Sequence, residues 1–415
     1  MRKIKILQET DYDAYVDLSL NAYPGIRIRS TAEKEQFRRR ALNMQADPTI
    51  NLYGLFENGE LWGAMRLYDF QMKLHNTMAF VGGLGGVAVH LLHKKKRVAY
   101  DMIQFFLSHY KERGAALTAL YPFRPDFYKQ MGFGYGRKLD QYCIKPADLP
   151  SSGNRADVTF LTAKDRSALI QCYNRYLTQT NGLMKLSNFT LDSLFSASTL
   201  KIAGYWEEGE LRGYLIFQFE PIEPNNFLRN RIMVRHIVFE NSRALHGLFA
   251  FLHAQQDQIE EIVIHTQEPD FHYLFHDPRN GLHPMMPPVF QQSNVQGLGI
   301  MYRIIDLPNL LVQLQKHNFG NQTCHVRFTV EDSFFAEHAG SYDFSFVNGR
   351  LQPTSAPPEV EISLDVAELS SLIMGATTFT QLYRLGCVQI SDADYVEILH
   401  QMFYTDQKPI CLSSF

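Results

Sequence analysis

Lys94-Lys95-Lys96-Arg97 is a block of four cations that runs directly into Val98-Ala99-Tyr100-Asp101-Met102-Ile103, which has the periodicity of a helix start. The β-branched stretch Val87-Ala88-Val89 precedes it. A strand, a basic loop and a helix start in this order make a site for a phosphorylated ligand. Backbone N–H groups of the first helical turn lack partners, and the helix dipole favours negative charge there. Downstream, Phe123-Arg124-Pro125-Asp126-Phe127-Tyr128-Lys129-Gln130-Met131-Gly132-Phe133 offers a phenol, Tyr128, that keeps its proton near neutral pH. The competing reading of the basic block, a solvated charge run or an import patch, leaves its place between strand and helix unused. Gly82, Gly83, Gly85 and Gly86 hint at a dinucleotide fingerprint, but they precede Val87 rather than following a strand into a helix, which that motif requires.

The elements that must position these residues occur twice. Gly54-Leu55-Phe56-Glu57-Asn58-Gly59-Glu60-Leu61-Trp62-Gly63 recurs as Gly204-Tyr205-Trp206-Glu207-Glu208-Gly209-Glu210-Leu211-Arg212-Gly213. Both read as β-hairpins, turning at Asn58-Gly59 and at Glu208-Gly209. Each is followed by a β-branched strand and a helix: Val87–Val89 then Tyr100–Tyr110, and Val234–Phe239 then Ala244–His253. A further strand and a Pro-Asp-Phe triplet close each copy, at Pro125-Asp126-Phe127 and Pro269-Asp270-Phe271. Recurrence in the same order points to a tandem duplication. The second copy replaces the basic loop by Phe239-Glu240-Asn241-Ser242-Arg243-Ala244 and has His272 where the first has Tyr128. Glu240 would repel a pyrophosphate, so the second copy is expected to be a degenerate buttress.

After the run Pro284-Met285-Met286-Pro287-Pro288 the texture changes. Strands are expected at Ile300–Ile305, Val326–Val330, Tyr342–Phe346 (turning at Asn348-Gly349) and Val360–Leu364. Helices are expected after Pro308, before a Gly375 cap, and from Ser391-Asp392 through Phe403. The expected organisation is three units, 1–150, 151–290 and 291–415, of α+β class.

Bulk properties exclude several alternatives. Net charge is −3 with 45% hydrophobic and 20% charged residues, so nothing global favours nucleic acid or a membrane surface. Five scattered cysteines without a Cys-x-x-Cys pair indicate neither a disulfide framework nor a metal site. Residues 1–7 alternate like a strand and lack a signal-peptide core, and no apolar run is long enough to span a bilayer. A cytoplasmic protein is expected.

The strand–basic loop–helix unit together with the Phe-Tyr-x-x-x-Gly-Phe segment resembles GNAT-type acetyltransferases. Two such halves followed by a sterol-carrier-like α+β unit resemble the Eis family of N-acetyltransferases over nearly the whole chain. The resemblance implies acetyl-CoA as co-substrate, held by Val87, Ala88, Val89, Lys94, Lys95, Lys96, Arg97, Val98, Ala99, Tyr100 and Phe123. It also implies Tyr128 as the acid that protonates the leaving thiolate, and the α-carboxylate of Phe415 as the group that receives the amine's proton. No metal and no covalent acyl-enzyme are implied. The acceptor would be a small-molecule or peptide amine: an aminoglycoside, a polyamine or a lysine. The assembly would be a homo-hexamer. Two departures stand out. Arg97 occupies the place of the first loop glycine, where a positive φ is usual, and Ser414 replaces an acidic residue before the final Phe. A different class of function, a non-catalytic acyl-CoA or lipid-binding regulator, would require neither Tyr128 nor Phe415.

Overall fold

The computed structural model describes residues 2–280, 285–286, 289–353 and 355–415. Met1 and the boundary prolines Pro284, Pro287 and Pro288 lie outside the described residues. Strand β1 (Arg2–Ile6) and helices α1 (Tyr12–Ala22) and α2 (Thr31–Ala46) lead to the hairpin of β2 (Ile50–Glu57) and β3 (Glu60–Leu74). Asn58 and Gly59 have φ of 54° and 85°, as a two-residue type I′ turn demands. β4 (Thr77–Val89) runs antiparallel to β3; helix α3 (Val98–Glu112) then returns the chain to β5 (Leu117–Leu120), parallel to β4. Helix α3 buries Val98, Met102, Ile103, Phe106, Leu107 and Tyr110, one face at helical spacing. The short helix α4 (Pro125–Lys129) carries Tyr128, and β6 (Gly134–Tyr135) follows.

The second copy repeats this plan. After β7 (Leu139–Ile144), β8 (Val158–Phe160), α5 (Arg166–Gln179) and α6 (Asn188–Ser196) comes the hairpin of β9 (Lys201–Glu207) and β10 (Glu210–Pro221). Its turn residues Glu208 and Gly209 again have positive φ, 52° and 81°. β11 (Asn230–Phe239), α7 (Ser242–His253) and β12 (Ile259–Thr266) form the second parallel crossover. The duplication reaches single hydrogen bonds: His90 N–H donates to Trp62 C=O at 2.9 Å, and Glu240 N–H to Arg212 C=O at 2.9 Å.

The two sheets exchange strands. After the small pair β13 (Met285–Met286) and β14 (Phe290–Gln291), the chain gives β15 (Val295–Gly297) to the second sheet and β16 (Met301–Ile304) to the first. Strand orders are β1-β2-β3-β4-β5-β16-β6 and β15-β7-β12-β11-β10-β9-β8. Residues 301–304, read from sequence as part of the last unit, therefore complete the first sheet. All four are buried, as in an internal strand.

The last unit contains α8 (Leu307–Gln313), β17 (Cys324–Glu331), β18 (Gly340–Val347), β19 (Arg350–Gln352), β20 (Val360–Asp365) and α9 (Val366–Ile373). α10 (Phe379–Arg384), β21 (Gln389–Ile390) and α11 (Val396–Phe403) complete it, and its sheet order is β19-β18-β17-β20-β21. Helix α9 seats against the first sheet: Ile304 N–H donates to Ser370 Oγ at 2.9 Å, and Ser371 Oγ donates to Tyr135 C=O at 2.9 Å. The fully buried Arg303 of β16 pairs with buried Asp332 at 2.6 Å across the same junction. Among the described residues no helix is long and apolar enough to cross a membrane.

Candidate active site

Strands β4 and β5 pair only from Val81↔Leu117 to Leu84↔Leu120. Beyond Leu84 the next five residues of β4 keep β3 on one side and have lost β5 on the other. The β3–β4 register slips here: Ala64 faces Ala88 while Arg66 faces Gly85, so Gly86 and Val87 both oppose Met65. This is a β-bulge, and Gly86 takes φ 56° in it. His90 bonds Trp62, so antiparallel alternation turns the N–H and C=O of Val89 away from β3, into the gap left by β5. The Val87 carbonyl accepts a hydrogen bond from Tyr23 Oη at 2.8 Å.

One side of this gap opens on a cleft of ≈ 580 Å³. Of the residues singled out from sequence, it gathers Val87, Val89, Lys94, Lys95, Arg97, Val98, Ala99, Tyr100 and Phe123. Two others lie elsewhere. Ala88 is fully buried in the core on the opposite face, as strand alternation dictates. Lys96 turns back, its Nζ 4.9 Å from the Trp62 ring centre and 3.2 Å from His93 Nδ1. Arg97 is the N-cap of α3 with φ 60°, and it gives no side-chain cap. The first-turn N–H groups stay open, and the guanidinium carbon lies 4.0 Å from the Tyr100 ring centre. The loop thus keeps a left-handed turn without glycine, at a cost of about 1–2 kcal/mol for a residue with a Cβ.

Tyr128 is buried behind the cleft lining, 3% exposed, with its ring centroid 5.8 Å from that of Phe123 and 5.1 Å from that of Phe127, both of which face the cleft. Burial, and then the nearby Tyr23 hydroxyl, push its pKa well above the ordinary phenol value. The proton is held across the physiological range.

Phe415 occupies the other side of the parting strands. Its ring lies 5.5, 4.8 and 5.3 Å from the rings of Tyr68, Phe70 and Tyr121. Its carbonyl carbon rests on Gly85, where an added Cβ would come within 2.8 Å. The preceding residues are tied down: Ile410 N–H donates to Asn181 C=O at 2.8 Å, and Cys411 N–H to Gln267 Oε1 at 2.7 Å. All three units therefore converge on this tail. Phe415, Ser413 and Ser414 line a chamber of ≈ 90 Å³ with Arg40, Arg66, Tyr68, Phe70 and Lys185. A second chamber of ≈ 190 Å³ shares Arg40, Met44 and Arg66 with it and adds Tyr15, Tyr23 and Gly86. Tyr23 borders both this chamber and the larger cleft.

In the second copy the equivalent loop is closed by protein. Glu240 is held by Arg175 at 2.8 Å and by Arg212 at 3.2 Å. His272 lies on the short turn Phe271–Leu274, its ring 4.5 Å from that of exposed Tyr273.

Family models match in three places: an acetyltransferase (GNAT) domain over residues 3–136, another over 191–304, and a sterol carrier protein domain over 312–412. The chain is a GNAT acetyltransferase with a sterol carrier protein domain behind its two GNAT domains. Solved structures share this fold over the full length of both chains in each comparison. A GCN5-related N-acetyltransferase from Anabaena variabilis gives a TM-score of 0.81 at 16% identity, covering 100% of each chain. A probable N-acyltransferase from Enterococcus faecalis gives 0.80 at 17%, again covering 100% of each. Eis1 from Mycobacterium abscessus gives 0.77 at 18%, also over 100% of each. No curated protein sequence matches the chain.

Sequence reasoning missed Arg40, Arg66 and Lys185 altogether; of the aromatic residues that the sequence offers for the wall of an amine pocket, Tyr23, Phe56, Tyr68 and Phe70, three line the chambers, Tyr23, Tyr68 and Phe70. Arg66 left a signal, being a cation inside the otherwise apolar stretch Leu61–Tyr68. Lys185 left none. Phe56, the fourth aromatic candidate, instead packs in the core with Lys5 Nζ 4.4 Å from its ring centre.

Proposed function

We propose that the protein moves the acetyl group of acetyl-CoA directly to a primary amine. The observation that carries this is the parting of β4 from β5, with the basic-loop cleft on one side and Phe415 on the other. Lys95 and Arg97, with the open first turn of α3, suit the pyrophosphate. The Val89 N–H, turned into the gap, suits the thioester oxygen, where one such donor is worth about 3 kcal/mol. The α-carboxylate of Phe415 attracts the ammonium and receives its proton. Tyr128 donates its hydroxyl proton toward the departing sulfur. The test is thiol release from acetyl-CoA with a panel of amines, product mass being measured in parallel. Thiol release that tracks acetylated amine supports the reading; absence of acetylated product with every amine overturns it.

Two variants probe the two sides separately. Lys95→Ala and Arg97→Ala should each weaken acetyl-CoA binding about tenfold, the lower range for a charge-assisted contact, and more so at low salt. Lys96→Ala should leave affinity unchanged, because that ammonium faces Trp62. Calorimetric titration of the three variants decides. On the acceptor side, Gly85→Ala puts a methyl group against the Phe415 carbonyl carbon. It should displace the tail and cost roughly tenfold to a hundredfold in kcat, as misplacement by about 1 Å does, without changing acetyl-CoA affinity.

A further inference from the structure

The acceptor chambers have the wrong charge for a polycation. Arg40, Arg66 and Lys185 line them, and no Asp or Glu does among the described residues. Arg66 is half-buried; its Nε is fully enclosed without a hydrogen-bond partner, and its Nη1 reaches only the Met44 sulfur, at 4.0 Å. An added Cβ on Gly86 would fall 2.5 Å from that Nε. The guanidinium is therefore pressed onto the bulge, one residue beyond Gly85, where Phe415 rests. Its field reaches the neighbouring phenols: burial raises the pKa of Tyr23 and Tyr68, and Arg66 opposes the rise in both. Apart from the Phe415 carboxylate, which shares the chamber, the Asp47 carboxylate near its rim is spoken for by Thr49 at 2.6 Å and by the Phe189 N–H at 2.9 Å.

Resting on the acceptor site proposed above, we infer that the acceptor carries an anionic group as well as its amine, making it an amino acid-like compound rather than a polyamine or aminoglycoside. Phe415 receives the ammonium end. Arg66, with Arg40 and Lys185 at the rim, receives the anion. Phe415 rests on Gly85 and the Arg66 guanidinium on Gly86, neighbouring residues of β4, so one small molecule can meet both. A polycation would place a second ammonium against Arg66, which like-charge repulsion disfavours.

Three acceptors of matched length separate the cases: δ-aminovalerate, δ-aminovaleramide and cadaverine, whose far ends are anionic, neutral and cationic. Two readouts are needed, kcat/KM by thiol release and binding by saturation-transfer NMR in the presence of CoA. δ-Aminovalerate should exceed cadaverine by about tenfold or more, the scale of one charge-assisted contact. Arg66→Gln should bring that ratio toward one and Arg66→Glu should invert it; Lys185→Gln, at an exposed position, should lower it less. If the Arg66 variants do not fold, the wild-type ratio decides alone. Cadaverine bound or used as well as δ-aminovalerate overturns the inference, and so does failure of all three to bind. Preferential binding of δ-aminovalerate without acetylated product would sustain this inference while sinking the transfer reaction.

Discussion

Tyr128→Phe should lower turnover by roughly 10²–10⁴-fold, the usual scale for a general acid, at nearly unchanged acetyl-CoA affinity. Only a hydroxyl is lost, and the ring keeps its contacts with Phe123, Phe127 and Phe133. The elevated pKa of this phenol sharpens the expectation. Thiols ionise near 8.5, so the phenol is the weaker acid and does not simply surrender its proton. In the proposed reaction its O–H holds the departing sulfur and passes the proton as bond breaking builds charge there. Because folding raises this pKa above the ordinary value near 10, deprotonation of Tyr128 takes no part in the pH–rate profile below that value. Turnover should rise as the acceptor amine loses its proton and then level. A variant within a factor of about three of wild type at saturating substrates, where a general acid is worth at least about a hundredfold, would remove Tyr128 from the mechanism.

Local patterns made much of the fold readable. Asn58-Gly59 and Asn348-Gly349 each have positive φ at both residues, and turn chemistry of that kind is set within a few residues. Helix caps behaved likewise: Asp392 accepts from the Asp394 N–H at 3.0 Å at the start of the last helical segment. Glycines misled. Four in eight residues argue against a strand, and only Val87–Val89 reads as one, yet β4 runs from Thr77. The glycines are there because neighbours fill their places: a Cβ on Gly82 would meet the Tyr110 ring at 2.4 Å, and one on Gly83 the Phe70 ring at 2.2 Å. No single-sequence pattern shows such cross-element crowding.

Partner choice between strands was equally invisible. Met301–Ile304 is plainly a strand from its residues, but its neighbours, Leu117–Leu120 and Gly134–Tyr135, lie far back in the chain. The same holds for β7, which pairs with Ile262–Thr266. Alternation specifies faces, not edges. In the candidate site, the basic loop was legible as a charge run, but the division of labour within it was not. Lys95 turns to the cleft and Lys96 to Trp62 because Lys95 and Arg97 both adopt positive φ, 64° and 60°, which rotates successive side chains apart. The charge of the acceptor chambers escaped because Arg40, Arg66 and Lys185 come from α2, β3 and the segment before α6.

Blocking the α-carboxylate of Phe415 should abolish transfer, because the proposed chemistry on the acceptor side rests on a backbone group. A C-terminal tag converts that carboxylate into a neutral amide and adds chain where Gly85 leaves no room. A C-terminal amide made by semisynthesis removes the charge with little change in bulk and should have the same effect. Phe415→Ala keeps the carboxylate but deletes the ring wedged among Tyr68, Phe70 and Tyr121. Removing a buried aromatic normally costs about 3–5 kcal/mol; this ring is half-buried, so the loss is smaller and is felt as a tail no longer held in register. Activity should fall without vanishing. A tag before Arg2 leaves the Phe415 carboxylate free and should keep turnover, but Arg2 also holds the basic loop, its Nη2 donating to the Lys96 carbonyl at 2.8 Å, so this tag is joined through a flexible linker. Untagged, N-tagged and C-tagged protein, matched for folding by circular dichroism, are compared for turnover and for acetyl-CoA affinity. Affinity should be equal in the untagged and C-tagged forms, because the cleft lies on the other side of β4 from Phe415. Full turnover in the C-tagged form would remove the terminal carboxylate from the mechanism, and the base would have to be sought elsewhere, not in Tyr23 or Tyr68, whose pKa values burial raises.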